Sequence, residues 1–145
     1  MPKLATAHAV SPKPAKAAKR TRAASRWRNE RQFMAAVISQ CDGLAKYIPA
    51  YADVYHVSNE NAHRQPGVRA GVPDLQLDEG RYDPVAACTY HGWRCELKIL
   101  GGNLSDAQES RIAKLKANGY YVSVVWESVR DVMDSLEWYL GLPRA

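Results

Sequence analysis

Hydrophobic and polar positions along this chain alternate with two different periods. From Arg26 to Ala45, the residues Glu30, Met34, Val37, Ile38 and Cys41 recur at three- and four-residue steps, the signature of one helical face. Ser25 is a plausible N-cap for that helix, and Gly43 marks its fraying end. Tyr51–Val57 is short and rich in aromatic and β-branched residues, which predicts a strand. Val68–Leu77 predicts another, with apolar weight at Val72, Leu75 and Leu77. Pro73 cannot donate to a ladder, so it belongs at an edge or a bend. Asp78–Pro84 reads as a turn-rich loop and Val85–Tyr90 as a strand, which turns at His91-Gly92 into a further strand, Gly92–Leu100. On that strand Trp93, Cys95, Leu97 and Ile99 share one face, while Arg94, Glu96, Lys98 and Leu100 share the other.

Ser105 and Gln108 have the spacing of a capping box, in which each side chain bonds the other's backbone N–H. The helix they open should run to Asn118, with Gly119 at C′. Tyr120–Trp126 is an apolar run of strand length, suited to burial on both faces. Ser128 caps a last helix through about Leu140, with Val129, Val132, Met133, Leu136 and Leu140 on its apolar side. The order is helix, four strands, helix, strand, helix. It predicts an α/β fold with a mixed central β-sheet flanked by helices.

Charge divides the chain. Of its 145 residues, 1–31 hold nine Lys or Arg and one acid, Glu30, whereas 32–145 hold eleven basic and fourteen acidic residues. The net charge of +5 is therefore a property of the N-terminal end. Residues 1–24 are low in complexity and predict a disordered basic arm, drawn to nucleic acid in a salt-sensitive way. Residues 25–145 predict one domain. No segment has the ~20 apolar residues of a membrane span, and no signal-peptide apolar segment follows Met1. Three cysteines without paired-ligand spacing argue against a disulfide framework or a zinc site and fit a reducing cytosol.

Chemistry concentrates at Pro73-Asp74 and at Glu96-Leu97-Lys98. Mg²⁺ takes oxygen ligands and keeps several waters, so two carboxylates, Asp74 and Glu96, and the backbone carbonyl of Leu97 would suffice to hold it. Lys98, two residues beyond Glu96, reaches the same surface and could orient water and meet phosphate charge. An isolated Glu-x-Lys on a strand is more often a surface ion pair. Asp74 on a second strand tips the balance toward a metal site. Glu30 reads on spacing alone as a first-turn acid favoured by the helix dipole. Glu60, His56 and His63 read as loop or structural residues, and Tyr120, Tyr121 and Trp126 as core.

The run from Gly67 to Leu75, then Glu96-Leu97-Lys98, then Asn103-Leu104-Ser105-Asp106-Ala107-Gln108, resembles the VRR-NUC domain (virus-type replication-repair nuclease) of the PD-(D/E)xK superfamily. The resemblance spans roughly Glu30 to Leu140. It implies a restriction-endonuclease-like core, Asp74 and Glu96 as metal ligands, Lys98 as the catalytic lysine, and Gln108 and Glu30 as assisting residues. It implies Mg²⁺ or Mn²⁺ as cofactor and DNA as substrate, often branched or flapped, in repair or phage settings. Stand-alone members of this size resemble phage resolvases that act as homodimers, which would place this chain in the cytoplasm of a bacterial host. Arg64, Arg69, Arg94, Lys114 and Lys116, with the basic arm, are the candidate phosphate contacts. Two other readings remain: a non-catalytic nucleic-acid-binding module that keeps a nuclease fold, and a small α/β interaction protein.

Overall fold

A computed structural model describes residues 24–57, 66 and 69–142. The basic arm before residue 24, the loop residues Glu60, His63 and Arg64, and Gly67 and Val68 lie outside the described residues.

The chain begins with α1 (Glu30–Ala45), then a 3₁₀ turn (Pro49–Asp53) and the strands β1 (Tyr55–His56), β2 (Leu75–Leu77), β3 (Arg81–Asp83), β4 (Cys88–Tyr90) and β5 (Trp93–Lys98). It continues with α2 (Asp106–Ala117), β6 (Tyr121–Trp126) and α3 (Val129–Tyr139). Four strands form a mixed sheet in the order β1-β2-β5-β6, and β3 and β4 form a separate hairpin. β1/β2 and β2/β5 are antiparallel, whereas β5/β6 is parallel. A parallel pair needs a long crossover, and α2 supplies it.

The sheet is covered on both faces, which is why every residue of β5 and β6 is buried. One face carries the main core: Phe33, Val37 and Cys41 of α1, Val132, Met133, Leu136 and Tyr139 of α3, and Leu75, Leu77, Trp93, Cys95 and Leu97 of the sheet. The other face carries a smaller cluster, Ile112 of α2 against Val122, Val124 and Trp126, with Leu104, Leu115 and Tyr120 packed around it. Full burial of an aliphatic or Phe side chain contributes about 2 kcal/mol, so the face under α1 and α3 dominates stability. α2 rests on less apolar contact and needs polar anchoring. Inside the main core the Trp93 indole N–H donates to Ser135 Oγ at 2.9 Å, and Ser135 and Ser123 share a 2.6 Å hydrogen bond. The α3 helix is thus tied to both β5 and β6.

Several sequence expectations change. The first helix starts at Glu30, not Arg26, because Asn29 Oδ1 accepts from Gln32 N–H and caps it there. Ser25 instead donates to Glu127. Tyr51 lies in the 3₁₀ turn, which Pro49 opens, and only Tyr55–His56 is strand. The region read as a loop over Asp78–Pro84 contains β3, and among the described residues five strands, not four, precede α2. The expected caps Ser105 and Ser128 are where the spacing put them.

Gly71 positions the segment leading into β2. Its φ is +80°, and a Cβ there would stand 2.4 Å from the Ala107 carbonyl oxygen and 3.0 Å from Gln108 N. Only glycine lets this backbone touch the first turn of α2. Gly71→Ala should therefore cost more than about 1 kcal/mol in urea unfolding. An unchanged midpoint would show that the contact is dispensable.

Candidate metal centre

β2 and β5 pair with Leu75 opposite Cys95 and Leu77 opposite Trp93. Continuing that register one step sets Asp74 opposite Glu96, on the sheet face that α2 covers. Pro73 then faces Leu97 and has no N–H to give it. The Leu97 N–H is taken by Asp74 Oδ2 at 2.8 Å. The Leu97 carbonyl points toward the same strand, opposite a residue that cannot donate. Pro73 thus ends the ladder where the two carboxylates meet.

Glu96 is 1 % exposed and Lys98 5 % exposed. Lys98 Nζ lies 3.3 Å from Glu30 Oε1 and 3.4 Å from Glu96 Oε1. Gln108 Nε2 donates to Glu96 Oε1 at 2.5 Å. The other end of the same amide accepts from Ser105 N–H at 2.9 Å, and Gln108 N–H donates to Ser105 Oγ at 3.2 Å. The capping role and the site role thus belong to one side chain, with its carbonyl used for the helix and its amino group for Glu96. Glu30 is likewise both a first-turn acid of α1 and a partner of Lys98.

All these contacts on Glu96 fall on Oε1; Glu96 Oε2 is buried with no hydrogen-bond partner among the described residues. An unsatisfied buried carboxylate oxygen is costly unless a cation or proton compensates it. Burial is the first cause that pushes the Glu96 carboxyl up, to about 8, and the nearby Asp74 charge is the second. Asp74 is raised as well, chiefly by burial, while the Leu97 N–H opposes the shift. Two carboxylates that each resist ionisation beside the other form a site that favours a bound cation. Among the described residues no three His, Cys, Asp or Glu side chains are grouped to hold a metal. The groups at hand for a cation are the two carboxylates and the Leu97 carbonyl, a set that would suit a hard ion that keeps its waters.

The expected phosphate contacts are less concentrated. Arg69 and Lys114 are exposed and Lys116 is half-buried near the end of α2. At 1.5 Å per residue, those two lysines stand about 9–12 Å along the helix from Gln108. Arg94 is a correction. It is 7 % exposed, and its guanidinium donates to the Leu77 and Trp93 carbonyls and pairs with Asp78 at 2.9 Å. It also lies over the Tyr120 ring, 4.5 Å from the centroid. With its donors turned inward it braces the sheet face rather than meeting phosphate. Sequence reasoning missed Glu127, which no spacing rule flags, and Phe33, whose i+4 and i+8 partners Val37 and Cys41 could have marked it.

No family model matches the sequence, and no curated protein matches it. Among solved structures, one described as a VRR_NUC domain protein superposes with a TM-score of 0.61 at 26 % identity, covering 79 % of this chain and 89 % of that one. The fold is VRR-NUC-like. That likeness takes in the mixed sheet and its flanking helices. Among the described residues no helix is long and apolar enough to cross a membrane, and all three cysteines are free thiols.

Proposed function

We propose that this chain is a metal-dependent endodeoxyribonuclease that hydrolyses phosphodiester bonds in branched DNA, such as flaps or four-way junctions. One observation carries the reading. Asp74 and Glu96 face each other across two strands beside an ion-paired lysine, and one Glu96 oxygen is buried without a partner among the described residues. The VRR_NUC domain neighbour supports a nuclease-type function and DNA as the ligand.

Asp74, Glu96 and the Leu97 carbonyl would hold Mg²⁺ or Mn²⁺. When bound, the ion supplies a water of lowered pKa and takes up charge on the scissile phosphate. The protein's own groups do the rest. An ammonium has three donors. Two of those on Lys98 face Glu30 and Glu96, which leaves the third for the attacking water or a phosphate oxygen. Gln108 keeps Glu96 Oε1 fixed from the side of α2, so the carboxylate presents Oε2 to the site. The N-terminus of α2 adds a dipole favourable to phosphate. Arg69, Lys114 and Lys116 contact the backbone, which gives affinity without sequence choice. Two copies in a homodimer would set two such sites on a four-way junction. The free thiols suit the reducing cytoplasm of a bacterial host.

The test is cleavage of labelled linear, flap, fork and four-way-junction DNA by purified protein in Mg²⁺, in Mn²⁺ and in EDTA. Metal-dependent cutting, fastest on a branched substrate, is expected. DNA binding with no cutting in either metal would replace this reading with the non-catalytic binding module.

A further inference from the structure

Glu127 joins β6 to α3 with φ at +60°, in the left-handed region. A residue with a side chain pays about 1–3 kcal/mol to sit there, and glycine is the ordinary solution. The side chain and backbone of Glu127 explain why glutamate stands here instead. Its Oε1 accepts from Ser25 Oγ at 2.6 Å and also from the Leu100 N–H. Its Oε2 accepts from the Arg26 N–H at 3.2 Å, and its carbonyl from the Trp27 indole N–H at 2.9 Å. Its own N–H donates to the Lys98 carbonyl at 2.9 Å. One residue therefore links three segments: the approach to α1, the exit from β5 and the β6–α3 turn.

Those segments carry the two ends of one ion pair. Glu30 opens α1 three residues after Trp27, and Lys98 closes β5 two residues before Leu100. Their side chains meet at 3.3 Å. Gly102 packs against the same pair; a Cβ on it would lie 3.6 Å from Glu30 Oε1 and 3.5 Å from Lys98 Cδ. Trp27, held by the Glu127 carbonyl, stacks on Phe33 with ring centroids 5.5 Å apart, which fixes the start of α1 against the core. Nothing else described joins the approach to α1 with the exit of β5 through a single carboxylate.

We propose that Glu127 is a positioning residue that holds Glu30 against Lys98 and so sets the aim of the lysine. This rests on the nuclease reading above. Glu127 touches neither the metal acids nor Arg69, Lys114 or Lys116, and it meets Arg26 only through that residue's backbone N–H, so its removal leaves metal and DNA affinity alone and lowers turnover.

Glu127→Gly is the informative variant, because the lost hydrogen bonds and the relieved φ act on stability in opposite directions. Relative to the unaltered chain, kcat should fall about 10- to 100-fold. KM for DNA and the Mn²⁺-induced rise in melting temperature should stay the same. Amide exchange at Arg26 and Leu100 should accelerate. Glu127→Gln keeps one acceptor oxygen for Ser25 and Leu100 and should recover most of kcat. Combining Glu127→Gly with Glu30→Gln should be no slower than the slower single variant, since both act through one contact. Unaltered kcat in Glu127→Gly, or losses that multiply in the double variant, would overturn the proposal. If the unaltered chain cuts no DNA, the nuclease reading fails instead. The exchange rates at Arg26 and Leu100 then decide alone whether Glu127 anchors the two segments.

Discussion

Lys98→Ala should bind DNA as the unaltered chain does and cleave it about 10²–10³-fold more slowly, the usual loss when one preorganised electrostatic group is removed. The reason is local. Lys98 is buried between Glu30 and Glu96, and both ion-pair distances are short enough to hold its ammonium in one place. Its charge also favours the ionised form of Glu96. Removing it therefore deletes the donor aimed at water or phosphate and moves Glu96 further toward its neutral form. DNA affinity draws on exposed cations elsewhere and should not change. Fluorescence anisotropy in EDTA measures binding, and single-turnover cleavage in Mg²⁺ measures the chemistry. A variant that cuts at the unaltered rate would remove Lys98 from the mechanism.

Without metal, the protein should lose stability as pH rises. The Glu96 carboxyl is pushed up to about 8 in the fold, whereas an unfolded glutamate titrates near ~4.3. Between those values the folded state binds more protons than the unfolded state, so unfolding free energy falls with increasing pH. The contribution of neutral Glu96 is complete below the unfolded value and is lost as pH passes through about 8. Asp74, also raised, acts with the same sign. Glu96→Gln keeps the shape without the titration, so in EDTA it should be more stable than the unaltered chain at pH 9 and nearly equal at pH 4. Saturating Mn²⁺, at about 100 times its Kd, should raise the melting temperature of the unaltered chain by roughly 10 °C. It should leave Glu96→Gln unmoved. Urea unfolding at several pH values checks the slope. A rise in stability from pH 5 to pH 8, or an equal Mn²⁺ response in the variant, would contradict the site as described.

The mixed α/β fold class was legible in the sequence, and so was the meeting of Asp74, Glu96 and Lys98, whereas several element bounds were not. Glu96 and Lys98 could be put on one face because period two on β5 is a local rule, and Pro73 marked a strand end beside Asp74; the register that sets Asp74 opposite Glu96 is seen only in the structure. The capping box at Ser105 is local too. What failed depended on distant partners. Ser25 and Asn29 are both competent caps, and Glu127, about a hundred residues away, decides between them by engaging Ser25 and Arg26. β3 was hidden because its three residues sit among Asp78, Glu79, Gly80 and Pro84, and its central Tyr82 is 62 % exposed. Only pairing with β4 makes it a strand. Arg94 looked like a phosphate contact because charge says nothing about direction. Asp78 and Tyr120 turn it inward.

The central sheet has two unequal margins. β6 is its outermost long strand, apolar and uncharged, yet every residue of it is buried, with α2 packed on one side and α3 on the other. Among the described residues the opposite margin, β1, is only two residues long. A sticky six-residue segment that would otherwise template its own kind is thus sealed. The open side offers a neighbouring chain two rungs to zip onto. Concentrated solutions of this protein should therefore resist fibril growth for as long as the two helices stay docked.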